Sequence, residues 1–157
     1  MHREVAYEEL RRNLGSSPMP YLHHSFAALR IRGDSLKPDE ISRILGCSPT
    51  LSCVKGQIEP SKGKTIVRET GGWHLDAIGQ QPGDVNAHVA QLFRQVNNDV
   101  SAWAALSREY ETDLFCVYFM SEADEGLEVS AETLKALGGR GIKLELHIYS
   151  PAKENDI

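Results

Sequence analysis

The chain predicts an α+β fold, a mainly antiparallel sheet with helices on one face, ferredoxin-like with an added hairpin. Three observations predict it. Helical patterns stand between groups of strand-like runs and do not follow every strand, which separates this class from an alternating α/β plan. A glycine pair, Gly71-Gly72, is flanked by β-rich runs, the short-range signal of a tight hairpin. The two ends also rhyme: strand, turn, capped helix and a Leu-Gly ending occur at residues 26–46 and again at 114–138.

Residues 3–14 carry Val5, Leu10 and Leu14 on one side of a short helix, which Gly15-Ser16-Ser17-Pro18 would stop. With two prolines and no periodicity up to His24, residues 1–24 read as an N-terminal appendage. Residues 25–150 form one domain, and residues 151–157 a C-terminal tail. Phe26 to Arg32 reads as a strand ended by Gly33-Asp34. Pro38-Asp39-Glu40 opens a helix, since proline suits the first helical position and acids in the first turn favour the helix dipole. Ile41, Ile44 and Leu45 form its buried stripe, and Gly46 suits the position after its end. Pro49-Thr50 turns the chain into a short strand through Leu51, Cys53 and Val54, and residues 56–64 read as a loop.

The hairpin then spans residues 65–77. With Gly71 and Gly72 as its turn, Arg68, Trp73 and Leu75 share one side and Val67, Glu69, His74 and Asp76 the other. His74 would face Glu69 as a cross-strand pair. After a loop at residues 79–83, apolar residues from Val85 to Leu106 recur every three or four positions, an amphipathic helix that Asn97-Asn98-Asp99 should break. Leu114 to Met120 is the most strand-like run. An acidic turn and a short strand at residues 127–129 follow. Ser130-Ala131-Glu132-Thr133 caps a last helix carrying Leu134 and Leu137, and Ile142 to Tyr149 alternates as the last strand.

At 157 residues, 41% hydrophobic and 25% charged, the chain is long enough to bury a core without metal or disulfide staples. Its net charge of −5 argues against a nucleic-acid partner. No apolar run is long enough to span a bilayer, and the N-terminus has no signal-peptide pattern, so the expectation is a cytoplasmic protein with no membrane partner. Cys47, Cys53 and Cys116 match no zinc or redox spacing and are expected to be reduced.

In order, Gly33-Asp34, Pro38-Asp39-Glu40-Ile41, Leu45-Gly46, Pro49-Thr50, Lys55-Gly56, Arg68, Trp73-His74-Leu75 and the run from Leu134 to Tyr149 resemble domain of unknown function 4279. The resemblance covers about residues 25–149. It implies the fold and a bacterial cytosolic setting, and it carries over no catalytic residues.

For function, one ligand-binding candidate stands out: Lys55, Arg68 and Trp73, with the guanidinium over the indole and the lysine as a second charge toward an anion. The competing reading has Arg68 lying along the indole and covering the core. Acids recur from Glu109 to Glu132 without a lysine or arginine, a solvated face or a surface for a basic partner. The six histidines form no metal-binding pair, there is no nucleophile elbow, and the glycine-rich segments lack a phosphate-loop ending. The expectation is therefore no catalytic residues, no metal and no cofactor. A non-enzymatic protein- or peptide-binding domain of immunity or accessory type leads, with a homodimer admitted. The alternative is a small anionic-ligand binder or an enzyme built on Lys55, Arg68 and Trp73.

Overall fold

The computed structural model describes residues 25–61, 63–77, 84–120 and 126–149. The expected appendage, the tail and the loop at residues 79–83 lie outside them. In chain order the elements are β1 (Ser25–Gly33), α1 (Pro38–Leu45), β2 (Leu51–Cys53), β3 (Ile58–Ser61), β4 (Lys64–Val67), β5 (Gly71–Asp76), α2 (Val85–Phe93), α3 (Val100–Glu109), β6 (Glu111–Phe119), α4 (Ala131–Gly138) and β7 (Lys143–Tyr149).

The main sheet runs β2-β5-β1-β6-β7, and β3-β4 pair apart from it. Every neighbouring pair is antiparallel except β6 and β7. Two split units interlock. β5 lies between β1 and β2, which α1 connects, and β1 lies between β5 and β6, which α2 and α3 connect. The α+β class is the one the sequence predicts.

The alternation of strand side chains gives the sheet two unlike faces. Ala27, Leu29 and Ile31 of β1 meet Ala77, Leu75 and Trp73 on one side and Cys116, Leu114 and Thr112 on the other. The helices cover this face, burying Ile41 and Leu45 of α1, Val85, Val89 and Leu92 of α2, Trp103 and Leu106 of α3 and Leu137 of α4. Trp73 and Trp103 are completely buried. Each indole N–H still finds an acceptor, as buried tryptophans normally require: Trp73 donates to Ser42 Oγ at 3.0 Å and Trp103 to the Asn97 carbonyl at 2.7 Å.

Local chemistry places the helix ends. Pro38 opens α1, and Gly46 closes it with φ of 73°. The apolar periodicity from Val85 to Leu106 is interrupted as expected, with Asp99 accepting from the Ser101 N–H to start α3. Ser130 does the same for Thr133 in α4.

Three expectations are corrected. Gly71 and Gly72 are not a turn but the first residues of β5, facing Gly33 and Arg32 of β1. Their missing side chains make room for neighbours: a Cβ on Gly71 would stand 2.8 Å from the Gly33 carbonyl, and one on Gly72 3.3 Å from His74 Nε2. The hairpin is β3-β4, one step earlier, with Gly63 at φ of 76° in its turn. Pro60 hid it, because proline in a short run reads as a loop, yet a two-stranded ribbon tolerates it. His74 consequently stands between Arg30 and Leu51, not opposite Glu69. Finally, residues 127–129 form no strand. Asn86 of α2 holds this segment, donating to the Glu128 carbonyl and accepting from the Ser130 N–H, so it is tied to a helix and not to a sheet.

Candidate functional site

The even-numbered residues of β1 point away from the helices, and there the sheet presents charge. Arg30 stands opposite Asp113 of β6 and His74 of β5, and Arg32 opposite Glu111 and Gly72. In β7, Lys143, Glu145, His147 and Tyr149 continue this side, paired with Asp113, Phe115, Val117 and Phe119. The buried apolar side chains of the described helices join the other face.

Asp113 is the hub. Its side chain is fully buried, and it accepts from Arg30 Nε at 2.6 Å through one oxygen and from Arg32 Nη2 at 2.5 Å through the other. A buried carboxylate needs such compensation, and two guanidinium groups supply it. Outward, Arg32 also donates to Glu111 at 3.0 Å and Arg30 to Glu145 at 3.3 Å. Lys143 bridges Glu111 and Glu145 at 3.1 and 3.7 Å. His147 Nε2 lies 2.8 Å from Glu145 Oε1. Three cations and three carboxylates thus form one neutral network across β1, β6 and β7.

Aromatic rings tie it down. The Arg30 guanidinium lies 4.2 Å from the Phe115 ring centre, a cation–π contact, and Phe115 packs on His147 at 4.8 Å. Phe119 and Tyr149 stack at 5.1 Å at the far end.

The network sets the protonation of its members. The Lys143 hydrogen bond and then the Arg32 charge hold Glu111 below the usual carboxylate range. Glu145 is lowered first by His147 and then by Arg30. His74 is pushed down to about 4, chiefly by burial and then by the positive charges of Arg30 and Arg32. It is neutral near pH 7. Carboxylates locked between cations make poor proton acceptors, so the network is built for holding shape and charge, not for general-base chemistry. Arg32 Nε, shielded from solvent, has no acceptor.

The residues singled out in the sequence lie elsewhere. Trp73 is a core side chain under α1. Arg68 follows β4 and reaches back to Glu59 of β3, with Nη2 at 2.7 Å and Nε at 3.1 Å from Oε2. Lys55 pairs with Asp34. Since Trp73 pairs with Ile31 and Ser52, it does not lie across a turn from Thr70, and the shared side assigned to Arg68 and Trp73 does not form. The charged face is signalled in the sequence only by Arg30 and Arg32 alternating with Leu29 and Ile31. Their partners are 80 or so residues away in sequence, at Glu111 and Asp113.

None of Cys47, Cys53 and Cys116 forms a disulfide, and burial raises the Cys47 thiol and lifts Cys116 to about 12, which disfavours the reactive thiolate at those two positions. Among the described residues no group of three or more His, Cys, Asp or Glu side chains is arranged to hold a metal, and no helix is long and apolar enough to cross a membrane.

A sheet backed by helices on one side and bearing an ion network on the other defines a small α+β domain with two unlike sheet faces. The chain belongs to the family described as a domain of unknown function (DUF4279), whose pattern matches residues 22–151. No curated protein and no solved structure matches it.

Proposed function

We propose that the chain is a non-enzymatic protein-binding domain that recognises its partner through the charged sheet face. The observation that supports this reading is the network of Arg30, Arg32, Lys143, Glu111, Asp113 and Glu145, spread over three strands on the side away from the described helices. Fixed charges of both signs favour one orientation of a partner and penalise wrong ones. The Phe119–Tyr149 stack adds the flat aromatic area that binding surfaces use. An anion-binding role for Lys55, Arg68 and Trp73 is less favoured, because Asp34 and Glu59 already neutralise the two cations and the indole is buried.

The same reading takes the strand order β2-β5-β1-β6 as ferredoxin-like, with β3-β4 inserted and α4-β7 appended. A bacterial cytosolic setting, in an immunity or accessory role, suits such a module.

The test is affinity capture from native lysate with wild-type protein beside a Glu145→Lys/Tyr149→Ala variant of unchanged melting temperature. A partner retained by wild type, released by salt and lost with the variant supports the reading. A partner captured equally by both overturns the assignment to this face.

A further inference from the structure

The main sheet ends in two edges of different kind. β2 is three residues long, whereas β7 offers seven, Lys143 to Tyr149, and contains no proline. Long unprotected edges pair with other strands, and natural proteins normally blunt them.

The backbone of β7 shows which groups are available. The Tyr149 carbonyl accepts from the Met120 N–H on the β6 side at 2.9 Å. N–H and C=O of alternate residues point to opposite edges of a strand, so residues 143, 145, 147 and 149 bond toward β6. The backbone groups of Leu144, Leu146 and Ile148 face outward. The side chains of Leu146 and Ile148 are 36% and 53% exposed, and Leu134 on α4, the helix that packs on β7, is 54% exposed.

We infer that this edge pairs with β7 of a second copy of the chain, antiparallel and centred on Leu146. The sequence of the strand is self-complementary in that register. Leu146 meets its own copy, Leu144 meets Ile148, and Glu145 meets His147, so apolar groups face apolar groups and the carboxylate faces an imidazole. Leu144, Leu146 and Ile148, whose backbone groups point outward, fall at the hydrogen-bonded pairs. Glu145 and His147 fall at the closer pairs between them, where opposite side chains interact most. A shift of one residue sets Glu145 against Leu146 or Ile148; a shift of two sets either Glu145 or His147 against its own copy. Such an isologous contact closes on itself and makes a dimer, not a fibre. The two sheets then join into one, and the charged faces become continuous across the two-fold axis.

The test uses the full chain. Wild type should sediment at twice the 17.4 kDa chain mass, and Leu146→Lys, which places two ammonium groups on the two-fold axis, should sediment as a monomer with unchanged circular dichroism. Leu146→Cys should cross-link to itself on oxidation, since opposed residues of a hydrogen-bonded pair lie about 5.5 Å apart between Cα atoms, within disulfide reach. Leu144→Cys should not, whereas the double variant Leu144→Cys/Ile148→Cys should. Monomeric wild type, a dimer that survives Leu146→Lys, or a Leu146→Cys protein that cross-links no faster than wild type would each overturn the pairing. Because these measurements need no partner protein, the pairing can fail while the binding face stands, and the reverse.

Discussion

The two faces of the sheet are made by the same strands, and they are stabilised in opposite ways. On one, Leu29, Ile31, Trp73, Leu75 and Leu114 exclude water under four helices. On the other, Asp113 is as deeply buried as any of them, but its burial is compensated by two arginines whose outer atoms still reach solvent. Apolar burial contributes in proportion to area removed from water, about 25 cal/mol per Å². A buried ion network contributes little net energy, since desolvation offsets most of the attraction, yet it is costly to break. The first face therefore sets how stable the domain is. The second sets what it presents.

Truncation should separate them. Trp73→Ala removes a fully buried indole and its hydrogen bond to Ser42, and should cost about 3–5 kcal/mol, enough to unfold a marginal domain. Urea unfolding followed by far-ultraviolet circular dichroism measures it. Asp113→Asn keeps shape and removes charge, leaving Arg30 and Arg32 without their shared counter-ion. Their side chains are 16% and 30% exposed, so water takes over part of the loss, and about 2–3 kcal/mol is expected. An Asp113→Asn protein as stable as wild type would mean that the network is ornamental to folding, and the contrast between the faces would collapse.

The contrast also governs what could be read from the chain. Each core-face residue declares itself by local pattern: Leu29 and Ile31 alternate, Ile41, Ile44 and Leu45 recur at helical spacing, and Asp99 and Ser130 cap. The helices and the α+β class follow from such short-range signals. Pairing partners do not. Gly71-Gly72 has the same composition in a turn as in a strand packed close to Gly33, and only the tertiary neighbour distinguishes the two. As a turn, the pair would put Arg68 on the side of Trp73; as the start of β5, it puts Trp73 beside Ile31 and Ser52. The charged face joins β1 to β6 and β7, and no spacing rule connects Arg30 with Asp113 and Glu145.

Acid should sharpen the comparison, because the polar face carries His74, Glu111 and Glu145, whereas the helix-covered face carries His88, whose pKa burial also lowers. His74 is held near 4 by burial and by Arg30 and Arg32, below its unfolded value. The unfolded chain therefore binds the proton more readily, and the stabilising contribution is complete above the unfolded pKa and is lost as pH falls toward 4. Between about pH 7 and about pH 5 this single group should cost about 2 kcal/mol. Glu111 and Glu145 are lowered carboxylates, so their losses begin further toward acid. Urea midpoints of wild type and His74→Gln should converge on acidification, with the variant flatter over that interval. Parallel pH profiles for the two proteins would show that His74 is not the titrating group.

The smallest effect is expected at Arg68, where sequence alone placed the most interest. Its guanidinium bridges to Glu59 between half-buried side chains, and its backbone N–H and C=O bond Gln57 and Gly56, so it closes the base of the β3-β4 ribbon. That ribbon pairs with no strand of the main sheet and exposes Ile58, Ile66 and Val67. Arg68→Met keeps the aliphatic stem and the backbone bonds, and removes the partly exposed ion pair with Glu59, a change of about 1 kcal/mol or less. Global unfolding should hardly register it. Hydrogen exchange should, because local opening reports the stability of the ribbon itself. Amides of residues 58–67 should exchange faster in the variant, while those of β1, β5 and β6 keep their wild-type rates. If instead Arg68→Met lowers global stability by several kcal/mol and speeds exchange in β5, the ribbon is an integral part of the core that Trp73 anchors.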